Sequence, residues 1–333
     1  MILTLTPNPS VDRTVVVDAL TRGAVIRSRR GWNEPSGKGV NVALALHRHG
    51  RPATAVLPVG GAVGAQLSQM LRVAGLPVRE VPVRGEIRSN ISLVEPDGTV
   101  TKVNEPGPAL GAGETEALVR AVLDDLADVT WLACCGSLPG GVPPDLYARL
   151  AEAARSRGVR VAVDTSGEPL RASLAGRPDL VKPNTSELAE LVGRALRTFG
   201  DVRDAALQVR RRGAGAVLAS LGADGALLVD AAGVRHAEVP VTRVVNAVGA
   251  GDAALAGFLH GGGTGEAALR TAVTWGAAAV QHEGTLFSAG DPARTVLIGT
   301  EVDPDRPLRN PDVVARAGQG SRPDPRADDS RPG

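Results

Sequence analysis

Aromatic side chains make up only 2% of this 333-residue sequence. Its core must therefore be built from alanine, valine and leucine in layers, with few large rings to anchor it. Cysteine is almost missing. Cys134 and Cys135 are adjacent in an apolar run, which excludes a disulfide framework and makes them small core residues. No apolar run reaches membrane-spanning length. The opening Met1-Ile2-Leu3-Thr4-Leu5-Thr6 lacks a basic leader and reads as a strand, so a cytoplasmic location is expected. A formal net charge of +1 gives no case for a nucleic-acid or membrane surface. With 43% hydrophobic residues, the chain is long enough for one large α/β domain with a small appendage.

Lysine is the most informative scarcity. Of 37 basic residues only Lys38, Lys102 and Lys182 are lysine, leaving 34 arginines. In a background that drifts to arginine, surviving lysines are candidates for tasks that need a compact ammonium ion.

What the chain does have is organised around Asn246-Ala247-Val248-Gly249-Ala250-Gly251-Asp252. Gly249 and Gly251 let backbone approach a ligand closely, and the apolar run 253–259 that follows reads as a helix ended by Gly261-Gly262-Gly263. Free amides at a helix start make an anion site. An acid in the same place would repel a phosphate unless a hydroxyl lay between them. Asp252 then becomes the general base for that hydroxyl, and phosphoryl transfer is the expected chemistry. Two other readings compete: a plain strand-to-helix turn capped by Asp252, and a dinucleotide fingerprint in Gly249-x-Gly251-x-x-Ala254. The fingerprint fits poorly, because it comes late in the chain and is followed by a helical stretch over 269–280.

In chain order, strand 1–6 leads into a loop carrying Asp12, placed to accept hydrogen bonds from sugar hydroxyls. Short β segments at 14–17, 25–28, 91–95 and 101–104 lack crossover helices and suggest a small antiparallel sheet that acts as a lid, with Asp97-Gly98 as a hairpin turn. Gly37-Lys38-Gly39-Val40-Asn41 opens a helix without the Ser or Thr of a P-loop, and suits a sugar or its phosphate. Arg27, Lys38, Arg88 and Lys102 gather in this part of the sequence, more cations than a neutral sugar needs. Beyond it, β and α stretches alternate, implying a mostly parallel, doubly wound sheet flanked by helices. Lys182-Pro183-Asn184-Thr185-Ser186-Glu187 follows a strand; Asn184 and Glu187 could hold Mg²⁺ through its waters, with capping by Thr185 or Ser186 as the alternative. Ser220, Gly222 and Gly225 suit a nucleotide contact or a β-hairpin. From about Glu301 the chain is rich in Pro, Arg, Asp and Gly and reads as a mostly disordered tail, so the domain is expected to span 1–300, with lid segments near 12–35 and 87–106.

From Met1 to about Ser288 the ordered motifs Thr6-Pro7-Asn8-Pro9-Ser10-Val11-Asp12, Ser36-Gly37-Lys38-Gly39-Val40-Asn41, Gly136-Ser137-Leu138-Pro139, Asp164-Thr165-Ser166-Gly167, Val181-Lys182-Pro183-Asn184, Ser220-Leu221-Gly222 and Val248-Gly249-Ala250-Gly251-Asp252 resemble the ribokinase-like (PfkB) carbohydrate kinases. The similarity is to the branch of phosphofructokinases and tagatose-6-phosphate kinases. It implies a ribokinase-like fold with a β-lid, often a homodimer interface, and ATP with Mg²⁺ as cofactors. It further implies Asp252 as catalytic base and the amides of Gly249, Ala250 and Gly251 as the anion hole. Substrate positions fall on Asp12, Arg27, Gly37, Lys38, Asn41, Arg88, Asn90 and Lys102. Nucleotide positions fall on Lys182, Asn184, Ser220, Gly222 and Gly225, with Glu187 near the metal. The reaction so implied is fructose 1-phosphate with ATP giving fructose 1,6-bisphosphate; a tagatose 6-phosphate or fructose 6-phosphate acceptor is the alternative within the branch, and a nicotinamide-dependent oxidoreductase or a silent sugar-phosphate sensor lies outside it.

Overall fold

Strands covered on both faces need apolar residues at successive positions, and Ile2–Leu5 and Trp131–Cys135 are buried throughout. The computed structural model describes residues 1–282, 284, 295–300 and 302–309. In chain order the elements are β1 (Ile2–Leu5), β2 (Ser10–Val16), β3 (Arg30–Ser36), α1 (Lys38–Arg48), β4 (Ala53–Val59), α2 (Gly61–Val73), β5 (Val78–Pro82), β6 (Arg88–Val94) and β7 (Val100–Asn104). There follow α3 (Ala112–Asp124), β8 (Trp131–Cys135), α4 (Leu146–Arg155), β9 (Arg160–Asp164), α5 (Gly167–Ser173), β10 (Leu180–Val181), α6 (Thr185–Val192), α7 (Phe199–Arg211) and β11 (Ala216–Ser220). Last come β12 (Ala226–Asp230), β13 (Gly233–Glu238), α8 (Ala250–His260), α9 (Gly265–Ala279) and β14 (Leu297–Gly299).

The large sheet runs β14-β13-β12-β11-β10-β9-β8-β1-β4-β5. From β11 to β5 every pairing is parallel, and the β12, β13 and β14 pairings are antiparallel. Alternation along each strand divides the interior into two cores. Ile2, Trp131, Ala133 and Cys135 face the layer holding Leu44, Phe258 and Trp275. Leu3, Leu5, Leu132 and Cys134 face the layer holding Leu118, Tyr147 and Phe199. Both cysteines are free and buried, and burial pushes their thiols up, so neither is a nucleophile.

The lid is a separate four-stranded sheet ordered β3-β2-β6-β7. Its outer pairs are antiparallel, as expected, and β6–β7 turns through Asp97-Gly98. Its middle pair, β2 with β6, is parallel. The reason is topological: β2 follows β1 and β6 follows β5, parallel strands of the large sheet, so both enter the lid in one direction. Two local expectations fail here. Val25–Ser28 is not a strand; β3 starts at Arg30 because its register is fixed by Ser36 opposite Ser10, and Pro35 is tolerated on this edge strand. Asp12 lies inside β2, not in a loop.

Residues 302–309, expected to begin a loose tail, pack against the domain. Leu308 is buried, and Arg306 bonds Asp224 Oδ1 at 3.0 Å and Glu238 Oε2 at 2.9 Å while lying over the Phe199 ring. Sequence alone misses this because the anchoring acid, Asp224, is distant in the chain. The remainder of the tail lies outside the described residues.

Candidate active site

The parallel strands end together on one side of the large sheet, and their C-terminal residues carry the chemistry. Asp164 closes β9, Lys182 follows β10, and Ser220 closes β11. An isolated bridge joins Asn184 to Ser220, bringing these two expected nucleotide residues side by side. Helix α8 points its N-terminus into the same region. Gly249 is its N-cap at φ 80°, a left-handed value that glycine adopts without strain. The amides of Gly251 and Asp252 have no protein acceptor among the described residues, whereas that of Ala250 reaches Ala247 O at 3.4 Å. Gly251 lies against the Lys182 ammonium: a side chain there would come 3.2 Å from Nζ. Donors for an anion therefore converge on the glycine turn from the helix end and from Lys182.

Asp252 is the third residue of α8, within its first turn, and Gly249 takes the N-cap position, so Asp252 does not cap the helix. It is 8% exposed, and Asn41 Nδ2 donates to its Oδ2 at 2.8 Å. Burial, and then the charge of Asp164, raise its pKa to about 6, against the pull of Lys38, Asn41 and Lys182. The group is thus ionised at neutral pH yet close enough to titration to take a proton from an alcohol.

Asp164 holds the site together. Its carboxylate is fully buried, with Lys38 Nζ 2.8 Å from Oδ1 and Lys182 Nζ 3.0 Å from Oδ2. Burial favours its neutral form, but the two ammonium ions outweigh that and lower its pKa. Burial likewise works against the charge of Lys38, and Asp164, Glu187 and Asp252 overcome it to raise the lysine's pKa. The motif Asp164-Thr165-Ser166-Gly167 by itself gives Asp164 no role. The usable signal was the scarcity of lysine, because two of the three lysines meet at this acid.

The lid side carries the other expected substrate residues. Asp12 Oδ1 accepts from Ser10 Oγ at 2.8 Å and Asn90 Nδ2 at 2.9 Å, and its Oδ2 accepts from Ser36 Oγ at 2.9 Å. Arg88 donates to Asn8 O and Glu105 O; burial lowers its pKa against the charges of Asp12 and Glu105. Desolvation lowers that of Lys102, countered by Asp12. Asn8 Oδ1, Asn41 Oδ1, Asn90 Oδ1 and Arg88 Nε are buried without a protein partner, which suits a polar ligand between lid and sheet. Gly37, at φ 122°, brings the start of α1 against Thr6 and Pro9, where a side chain would clash at 2.7 Å.

Several expected residues do other work. Arg27 lies in an exposed loop and makes no side-chain bond among the described residues, so the structure does not bring it to the site. Gly225 serves packing, since a Cβ there would meet Ala237 O at 2.1 Å, and Gly222 is exposed on the same turn. Asn184 caps α6 in place of Thr185 or Ser186: its Oδ1 accepts from Glu187 N at 2.8 Å, while its own amide donates to Glu187 Oε2 at 2.9 Å. Only Glu187 Oε1 stays uncommitted to the cap, and it faces Lys38 Nζ at 3.5 Å. No cluster of three His, Cys, Asp or Glu side chains suited to a metal occurs among the described residues. Of the pair expected to hold Mg²⁺ through its waters, Asn184 Oδ1 and Glu187 Oε2 are engaged by the cap, so Glu187 Oε1 is the oxygen left to receive such a water.

Comparison with known proteins bears on the family and the fold. Residues 6–291 match the model of the pfkB family of carbohydrate kinases. The chain is 40% identical to 1-phosphofructokinase of Rhodobacter capsulatus over 83% of its length and 90% of that protein. It is 36% identical to the ATP-dependent 6-phosphofructokinase isozyme 2 of Escherichia coli, over 89% and 97% respectively. Among solved structures, phosphofructokinase-2 of Escherichia coli in complex with potassium superposes with a TM-score of 0.81 at 35% identity, covering 86% of this chain and 95% of that one. A late glycine turn followed by two helices, α8 and α9, also removes the dinucleotide reading, which needs a strand after the first helix. By family match, identity and fold alike, the chain belongs to the pfkB family of carbohydrate kinases.

Proposed function

We propose that the protein is a 1-phosphofructokinase that moves the γ-phosphoryl group of ATP to the C6 hydroxyl of fructose 1-phosphate. The observation that carries this reading is Asp252, a buried carboxylate with a raised pKa, set directly after the glycine turn where its own amide and that of Gly251 are open. Asn41 orients it, and it takes the proton as the hydroxyl attacks phosphorus in line. The amides of Gly251 and Asp252, with Lys182 beside them, stabilise charge on the transferring group. Asn184 and Ser220 border the ATP side, and Asp12, Asn90, Arg88 and Lys102 the sugar-phosphate side. Mg²⁺ enters as the ion carried by the ATP phosphates. Valines on the outer strand of the lid, Val100 and Val103, are about half exposed and support a homodimer through the lid. Among the described residues no helix is long and apolar enough to cross a membrane, which suits a cytoplasmic enzyme.

The 6-phosphofructokinase reading has one specific support, the identity to the Escherichia coli isozyme 2 over nearly its whole length. A coupled ADP-release assay with fructose 1-phosphate, fructose 6-phosphate and tagatose 6-phosphate separates them. The highest kcat/KM is expected with fructose 1-phosphate; preference for fructose 6-phosphate selects the second reading, and no ADP release with any of the three refutes phosphoryl transfer.

A further inference from the structure

Two carboxylates enter the cleft from different termini, Asp164 from the end of β9 and Glu187 from the first turn of α6. Facing acids beside a nucleotide site are the usual donors for a divalent ion. Here an ammonium stands between them: Lys38 Nζ is 2.8 Å from Asp164 Oδ1 and 3.5 Å from Glu187 Oε1. Lys38 is the first residue of α1, held at the head of the helix by the tight Gly37 turn. The remaining oxygens have neighbours of their own: Asp164 Oδ2 lies 3.0 Å from the Lys182 ammonium as an ion pair, though in no hydrogen bond, and Glu187 Oε2 accepts the Asn184 amide.

We propose that Lys38 is a built-in cation, occupying the position between Asp164 and Glu187 and excluding a resident divalent ion from the enzyme. The charge balance explains how. Asp164, Glu187 and Asp252 oppose Lys38 and Lys182, an excess of one negative charge; without Lys38 the excess is two, which one divalent ion neutralises. The position is open to such an ion, since the Lys38 side chain is 34% exposed. The only divalent ion in the reaction is then the one that arrives with ATP. This consequence rests on the phosphoryl-transfer reading, but the occupancy itself does not.

The test is therefore made without substrates. Mn²⁺ is titrated into the nucleotide-free protein and the free ion followed by electron paramagnetic resonance. Wild type and Lys38→Arg, which keeps the charge, are expected to hold no Mn²⁺ at this position. Lys38→Met is expected to gain one Mn²⁺ per chain, bound at least about tenfold more tightly than by wild type, and to lose it again in Lys38→Met/Glu187→Gln. Lys38→Gln replaces Lys38→Met if circular dichroism shows the latter unfolded. A neutral variant that binds no more Mn²⁺ than wild type overturns the proposal, as does a gained site that survives Glu187→Gln or appears in Lys38→Arg. Failure of the kinase reading would show instead as no ADP release by wild type, whatever the Mn²⁺ titration gives.

Discussion

Replacing Asp252 by asparagine should remove turnover and at the same time make the protein more stable. An aspartate ordinarily titrates near 3.8; here burial first, and Asp164 second, raise it to about 6. The folded chain therefore binds a proton that the unfolded chain releases, and stability falls as pH rises between those two values. Above that window, holding Asp252 ionised costs about 3 kcal/mol relative to the unfolded state. Asparagine matches the neutral form in shape and has no proton to lose. Urea denaturation near pH 8 should show Asp252→Asn more stable by up to about 3 kcal/mol, with the gap closing towards about pH 4. In the ADP-release assay kcat should fall by on the order of 10²–10⁴, the loss expected for a general base. The two readouts are independent. A variant no more stable than wild type near pH 8, or a stability gap of constant size across pH, would refute the electrostatic reasoning. Near-normal kcat would remove the base.

The same charges set the acid limb of kcat/KM, which should rise through about pH 6 as Asp252 loses its proton. Lys38→Met should move that limb up, because the lysine favours the charged carboxylate, and Asp164→Asn should move it down; a limb unmoved by both changes would uncouple the cluster. Arg88→Ala should raise KM for the sugar phosphate by on the order of 10–100-fold, the worth of charge-assisted hydrogen bonds to a phosphate, while kcat changes little. Equal loss in kcat would place Arg88 in the reacting machinery and not in ground-state binding. Arg306→Ala with Arg309→Ala should destabilise the fold by about 3 kcal/mol in urea titrations, because Asp224 is left fully buried without its cationic partners. No loss of stability would show that the 302–309 segment docks without consequence.

How legible the molecule is from sequence depends on the range of the interaction. The parallel sheet is readable because each buried strand is an apolar run and each crossover a helical one, and the glycine turn before Asp252 is readable because its signals are adjacent residues. The start of α8 still came out late, at 253, because Ala250, Gly251 and Asp252 look like loop; the left-handed Gly249 begins the helix before them. The second lid strand was misplaced because Gly31, Asn33 and Pro35 disfavour a strand locally, while pairing with β2 decides its position. Sequence proximity alone groups Arg27 with the substrate cations. Short elements such as β5, α5 and β13 are too brief for a period to stand out, whereas α7 does carry one, with Phe199, Val202, Ala205, Ala206 and Val209 on its buried face and Thr198 as its cap.

Asp164 shows why the site is harder to read than the fold. Its partners lie 126 and 18 positions away in the chain, as Lys38 and Lys182, and nothing in the local motif names either. Composition was the indirect trace. Arginine has a planar fork that needs room on both sides, whereas Lys182, almost fully buried beneath Gly251, has space only for an ammonium, and Lys38 meets the same carboxylate as a point charge beside Glu187. A sequence that turns nearly every surface cation into arginine keeps lysine where the partner cannot move. Lys38 and Lys182 are such positions, so a single fully buried aspartate accounts for two of the three lysines in the chain and ties the glycine turn, the α1 terminus and the α6 cap into one electrostatic unit.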